Sequence, residues 1–117
     1  MSRLSNVLRG LDGGRVAFRC PGCSNIHIIN TGGSPGPVWS YNGKPDAPTF
    51  SPSVLATWKE PSDDEGAWDD ESKDVPKVCH SFVTDGRIQF LGDCTHALAG
   101  QTVDLPEFPH ARWEPTP

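Results

Sequence analysis

The sequence predicts a mostly β fold: a small antiparallel sandwich or barrel with a CxxC zinc knuckle and one short N-terminal helix. Three observations carry that expectation. Twelve glycines and twelve prolines punctuate the 117 residues, separating short apolar runs as turns do. Asp85-Gly86 lies between two such runs, a strong short-range signal for a two-residue hairpin. Cys20-Pro21-Gly22-Cys23 lies between two others and has the spacing of a zinc knuckle, in which glycine lets the backbone turn both thiolates toward one cation. Apolar residues make up 35% of the chain, so the core is thin, and a bound metal is one way for a thin core to hold. The length is that of one domain, 1–117.

Leu4, Val7, Leu8 and Leu11 recur at i, i+3, i+4 and i+7, the stripe of a short helix, with Ser2 to cap it and Gly13-Gly14 to end it. Arg15 to Arg19 reads as a strand entering the knuckle and Ile26 to Ile29 as one leaving it. After a Gly-rich loop, Val38 to Tyr41 is a third strand, closed by the turn Asn42-Gly43. Thr49 to Trp58 alternates as a fourth, in which Pro52 marks a sheet edge or a bulge. Lys77 to Thr84 and Arg87 to Leu91 flank Asp85-Gly86. His96 to Ala99 suggests one helical turn, Thr102 to Leu105 a last strand, and 106–117 a Pro-rich tail with a solvated His110. Trp39, Tyr41, Phe50 and Trp58 are candidates for the core.

The net charge of −5 is uneven. Residues 60–74 hold eight of the fifteen acids and one of the ten Lys/Arg, leaving about +2 on the body. That stretch, with Trp68 its one aromatic, reads as an acidic loop. The body has no basic face, so nucleic acid is not an expected partner, because such binding rests on neutralising phosphates. No run of apolar residues is long enough to span a membrane. Met1-Ser2-Arg3-Leu4 does not open a secretory h-region, and a CxxC in such a chain favours metal over disulfide, which points to the cytoplasm.

The chemistry lies in the Cys and His clusters. Cys20 and Cys23 form the knuckle, and Cys79-His80 and Cys94-Thr95-His96 lie at the base of the Asp85-Gly86 hairpin. Counting outward from a two-residue turn, Thr84 faces Arg87 and Cys79 faces Gly92. Strand parity then puts Cys79, Cys94 and His96 on one face and His80 and Asp93 on the other. A Zn²⁺ site of Cys20, Cys23, Cys79 and Cys94 follows. His96 is the alternate for Cys94, and His80 enters if the register differs. Cys-rich ligation favours a closed structural site over a catalytic one. His80 and Asp93, diagonal across the hairpin, are the candidates for general acid–base work or for orienting a ligand, and His27 belongs to the same alternative set.

At these residues the chain resembles a family of small proteins common in phage and prophage genomes. The resemblance rests on Leu4–Leu11 with Gly13-Gly14, Cys20-Pro21-Gly22-Cys23 with His27, Pro48-Thr49-Phe50-Ser51-Pro52-Ser53, Cys79-His80-Ser81-Phe82-Val83, and the run from Phe90 to Val103. Members often carry the label ammonia monooxygenase. That label names a membrane-embedded copper oxidase, which a chain without a membrane span does not fit. Relatives with serine at the position of Cys94 imply that His96 completes the site there. The resemblance is to a family without an established activity, and it implies a phage-encoded, zinc-stabilised module that engages a protein partner. The alternatives are a small zinc hydrolase using His80, Asp93 and His96, and a virion component. The sequence leaves the oligomeric state open.

Overall fold

The computed structural model describes residues 2–61 and 74–109. They form nine strands and, among the described residues, no helix: β1 (Ser2–Arg3), β2 (Arg9–Leu11), β3 (Arg15–Arg19), β4 (Ile26–Asn30), β5 (Ser40–Tyr41), β6 (Phe50–Glu60), β7 (Val75–Thr84), β8 (Arg87–Phe90) and β9 (Thr102–Asp104). A four-stranded sheet runs β1-β2-β3-β4 and a five-stranded sheet β5-β6-β7-β8-β9, every pair antiparallel. No helix of the described residues is long and apolar enough to cross a membrane.

The expected N-terminal helix is absent. Its residues form the β1–β2 hairpin, with Ser2 opposite Gly10 and Arg3 opposite Arg9. Eight residues with Gly10 inside them make a poor helix nucleus. Ser5 takes the alternative local to it: its Oγ accepts from the N–H groups of Val7 and Leu8 at 3.2 and 3.0 Å and donates to Pro45 O at 2.7 Å. The stripe therefore does not act as one face, since Leu8 is fully buried while Leu4 is 41% exposed. His96 to Ala99 is likewise a turn and not a helix, closed by Ala99 N to His96 O at 3.3 Å.

The central hairpin has the expected register, Thr84 opposite Arg87 and Val83 opposite Ile88. Asp85 and Gly86 both have positive φ, 51° and 77°, as a turn matched to the twist of its strands requires. β8 stops at Phe90, however. Leu91 N still bonds His80 O, but residues 91–94 close a turn through Cys94 N to Leu91 O, and the chain resumes beside β7 at Thr95, whose N–H bonds Val78 O.

β6 carries the irregularity that its proline predicts. Phe50 pairs with Val83 and Val54 with Ser81, so Ser51, Pro52 and Ser53 stand opposite Phe82 alone, and the Ser51–Pro52 bond is cis. The core draws on both sheets: Leu8, Val16, Phe18 and Ile29 from the first, Phe50, Val54, Val83, Ile88 and Phe90 from the second. The rings of Phe18 and Phe50 stack across it, 6.1 Å apart. Trp39, Tyr41 and Trp58 are partly buried against this core. Most of the acidic loop 60–74, with Trp68, and the end of the tail, with His110, lie outside the described residues.

Candidate functional site

Two clusters meet on β7, back to back through adjacent residues. Successive residues of a strand point to opposite faces, so Cys79 enters the core while His80 turns outward. On the outer face His80 joins two further side chains. Its Nε2 lies 2.9 Å from Ser53 Oγ and its Nδ1 lies 3.1 Å from Asp93 Oδ2. His80 is opposite Leu55 on β6. Ser53, two residues before Leu55, is therefore its diagonal neighbour on the same face, a separation that an imidazole spans. Asp93 comes from the other side, at the turn that ends β8. A hydroxyl, an imidazole and a carboxylate are thus joined in series, at the spacing of a nucleophile, its general base and the group that orients the base. The Asp93 side chain is 56% exposed and that of His80 23%, so the series opens to solvent.

On the inner face, ligand atoms of Cys20, Cys23, His27 and Cys79 all lie within 4.8 Å of one another, a group that can hold a metal ion. Cys20 Sγ is 3.5 Å from Cys79 Sγ and Cys23 Sγ is 3.2 Å from His27 Nε2. Ligand atoms at the corners of a tetrahedral zinc site stand about 3.7 Å apart when the metal–sulfur bond is about 2.3 Å. His27 is held on β4 opposite Phe18, and its ring stacks on that phenyl at 5.3 Å.

The three thiols and the imidazole perturb one another's protonation. Cys23 is held well below the usual thiol range by hydrogen bonds from Cys20 and Cys79, while Cys79 is pushed far up by its contacts with Cys20 and Cys23 and by burial. Burial works against the charged form of His27, but hydrogen bonds and charge from Cys20 and Cys23 outweigh it and raise its pKa to about 9. Below about pH 9 a metal must therefore displace a proton from His27 as well as from Cys79. Apparent metal affinity is expected to fall by at least about tenfold per pH unit on acidification, read by chelator competition at pH 8 and pH 6.

Cys94 and His96 stand beside this cluster. Cys94 Sγ lies 3.2 Å from the backbone N and 3.1 Å from the backbone O of His80, clasping the main chain of the outward histidine. His96 Nδ1 accepts from Leu98 N–H at 3.2 Å, which leaves the ring proton on Nε2, 3.5 Å from Cys79 Sγ. A proton so placed points at the Cys79 sulfur. The ring also meets Phe90 edge-on, 4.5 Å between centroids. The turn at 91–94 breaks the strand on which the parity count depended, yet Cys94 is buried in the same cluster as Cys79 and His96 reaches the Cys79 sulfur.

Gly22 has its own reason for being glycine. Its φ is not left-handed; the positive φ of the knuckle belongs to Ser24, at 63°. A Cβ on Gly22 would overlap the His96 ring. Gly22→Ala is expected to displace His96 and to lower the thermal midpoint by several degrees, about 1–3 kcal/mol of overpacking, measured by thermal unfolding of the metal-loaded chain.

The sequence singled out His80 and Asp93 but not Ser53. Its one signal was Pro52, whose bulge turns Ser53 toward β7. What the two faces define together is a serine-nucleophile constellation on a β scaffold with a Cys/His centre behind it. Comparison with known families agrees with the outer face. Residues 4–91 match the model of the bacterial ubiquitination-like system serine protease family, BubE, and the chain belongs to that family. The match takes in Ser53 and His80 and ends two residues before Asp93. No curated protein matches, and no solved structure does. The family corrects the expected function: a serine protease family replaces both the interaction module and its alternatives, the zinc hydrolase and the virion component.

Proposed function

We propose that this chain is a serine peptidase of a bacterial ubiquitination-like system, with Ser53 as nucleophile, His80 as general base and Asp93 as its orienting carboxylate. The observation that carries the reading is the unbroken series from Ser53 Oγ through both nitrogens of His80 to Asp93 Oδ2, at 2.9 and 3.1 Å. In the first half-reaction His80 Nε2 takes the hydroxyl proton as Ser53 Oγ bonds to the scissile carbonyl carbon. The carbonyl electrons move onto oxygen. Collapse of that adduct expels the amine, which receives the proton from Nε2, and leaves an acyl ester on Ser53. Water, deprotonated by the same nitrogen, then releases the acid and restores the hydroxyl. Asp93 holds the Nδ1 proton and steadies the imidazolium that appears twice in the cycle. The fitting substrate is a protein of the conjugation system that the family name describes.

The Cys20, Cys23, His27 and Cys79 cluster is assigned a structural Zn²⁺. Three thiolates and an imidazole are a closed set with no position left for water, so the ion takes no part in the reaction. Cys94 and His96 act from outside it. Thiols kept reduced for a metal suit a reducing compartment, the cytoplasm. The test of the triad is covalent: an alkyl fluorophosphonate should add one adduct per chain, located on Ser53 by peptide mass mapping. An adduct on another serine, or none, removes the reading. A second measurement concerns Cys94. Cys94→Ser keeps a donor and acceptor for the His80 backbone and is expected to bind a full equivalent of zinc by elemental analysis, whereas a ligand at this position would lose most of it.

A further inference from the structure

We propose that the substrate enters as an added β-strand along the open edge of β6 beside Ser53, an inference that rests on the serine peptidase reading above. β5 covers only the start of β6, pairing Ser40 with Ser51 and Tyr41 with Phe50. From Val54 to Glu60 the ladder to β7 is continuous, and no other strand among the described residues lies on the far side.

The ladder also says which way each backbone group points. His80 O accepts from Leu91 N, and Val78 O from Thr95 N, both on the side of β7 away from β6. In an antiparallel pair, a residue whose groups point away faces a partner whose groups also point away. Leu55 is opposite His80 and Thr57 is opposite Val78. The N–H and C=O of Leu55 and Thr57, and by alternation those of Lys59, therefore point out along the free edge, and none has a bond among the described residues. Both Leu55 and Thr57 are exposed. A row of unmet backbone groups is the template for strand addition, and proteins ordinarily blunt such a row.

What makes a substrate the occupant is continuity with the nucleophile. The open edge begins at the residue after the bulge that holds Ser53, so a strand paired to Leu55 and Thr57 reaches the hydroxyl without a turn. Its side chains on the triad face meet Leu55, which is 56% exposed and two residues from Ser53. An extended segment with an apolar residue near the scissile bond is the chemistry that fits.

The experiment compares two covalent probes of Ser53: a small alkyl fluorophosphonate, and a capped tetrapeptidyl phosphonate carrying leucine. Strand pairing is expected to make the peptidyl probe react at least tenfold faster relative to the small one. In Thr57→Pro, which removes an outward N–H but no bond to β7, that ratio is expected to fall to within about twofold of one, as expected for losing a strand's anchoring bonds. Thr57→Ala keeps the N–H and should keep the ratio. Should Thr57→Pro fail to fold, Lys59→Pro makes the same test one outward residue further on. No gain from the peptide in the wild-type chain, or an equal loss in Thr57→Ala, overturns the added strand while leaving the nucleophile intact. Failure of both probes to label Ser53 brings down the peptidase reading and this proposal with it. A dimer in sedimentation that Thr57→Pro dissolves would put a second copy on the edge, and would overturn the proposal as well.

Discussion

Ser53→Ala is expected to abolish turnover while leaving the fold and the metal in place. The side chain of Ser53 meets His80 and nothing that holds the sheets together, whereas its backbone carbonyl takes the indole N–H of Trp39 at 3.1 Å, a bond that alanine keeps. Removal of the nucleophile from a triad costs on the order of 10⁶ in kcat. Asp93→Asn should retain the geometry but fix the wrong tautomer of His80, at a cost of about 10⁴. His80→Ala should match the serine variant, since the members act as one unit. Hydrolysis of the cognate protein substrate, followed by mass spectrometry beside zinc content and circular dichroism, separates these outcomes from misfolding. Full activity in Ser53→Ala would end the assignment, and so would a loss of zinc in His80→Ala.

Cys79→Ser is expected to do the opposite: to lose the metal, loosen the fold, and take activity with it. Cys79 is fully buried and its sulfur is in contact with that of Cys20, 59 residues away in the chain. A metal there ties the knuckle between β3 and β4 to the middle of β7, one sheet to the other. Structural zinc contributes roughly 10–16 kcal/mol apparent in peptides that have no other core. This chain has a core of its own, so the loss should be smaller but still large beside a typical stability of about 5–15 kcal/mol. Activity should follow, because the residue after Cys79 is the proposed general base and its backbone lies between Cys94 and Leu91. Chelation of the wild-type chain, then readdition of zinc, should reproduce both losses and restore them. A chain that keeps its thermal midpoint and its activity after chelation would show that the cluster binds no structural ion.

Much of this was legible in the residues. Alternation, Gly-Pro punctuation and Asp85-Gly86 specified a mostly β chain and the register of its central hairpin, because a two-residue turn with two left-handed residues admits only one pairing of its flanks. The period of two then divided Cys79 from His80 before any contact was known. Pro52 marked a bulge in β6, since a proline cannot donate to a ladder. These are local rules, and they held where the geometry stayed local.

Tertiary structure decided the rest. Leu4 to Leu11 has the spacing of a helix, yet a hairpin closed by the Ser5 hydroxyl buries Leu8 and Arg9 better than one short, marginal helix. A turn at 91–94, which no sequence period signals, ended β8 early; beyond it Cys94 came to rest on the backbone of His80 and His96 beside the sulfur of Cys79. His27 came into the metal cluster through the pairing of β4 with β3, which sets Phe18 beneath its ring. Ser53 became a partner of His80 only when β6 bulged against β7, for a lone serine carries no pattern of its own. The sequence by itself determined the strands from β3 onward, the faces of the central hairpin and most of the chemical groups. Which of those groups meet was decided by the folded chain, since the Cys/His cluster and the Ser53–His80–Asp93 series are contacts between residues far apart in sequence, and periodicity describes only the element on which it is read.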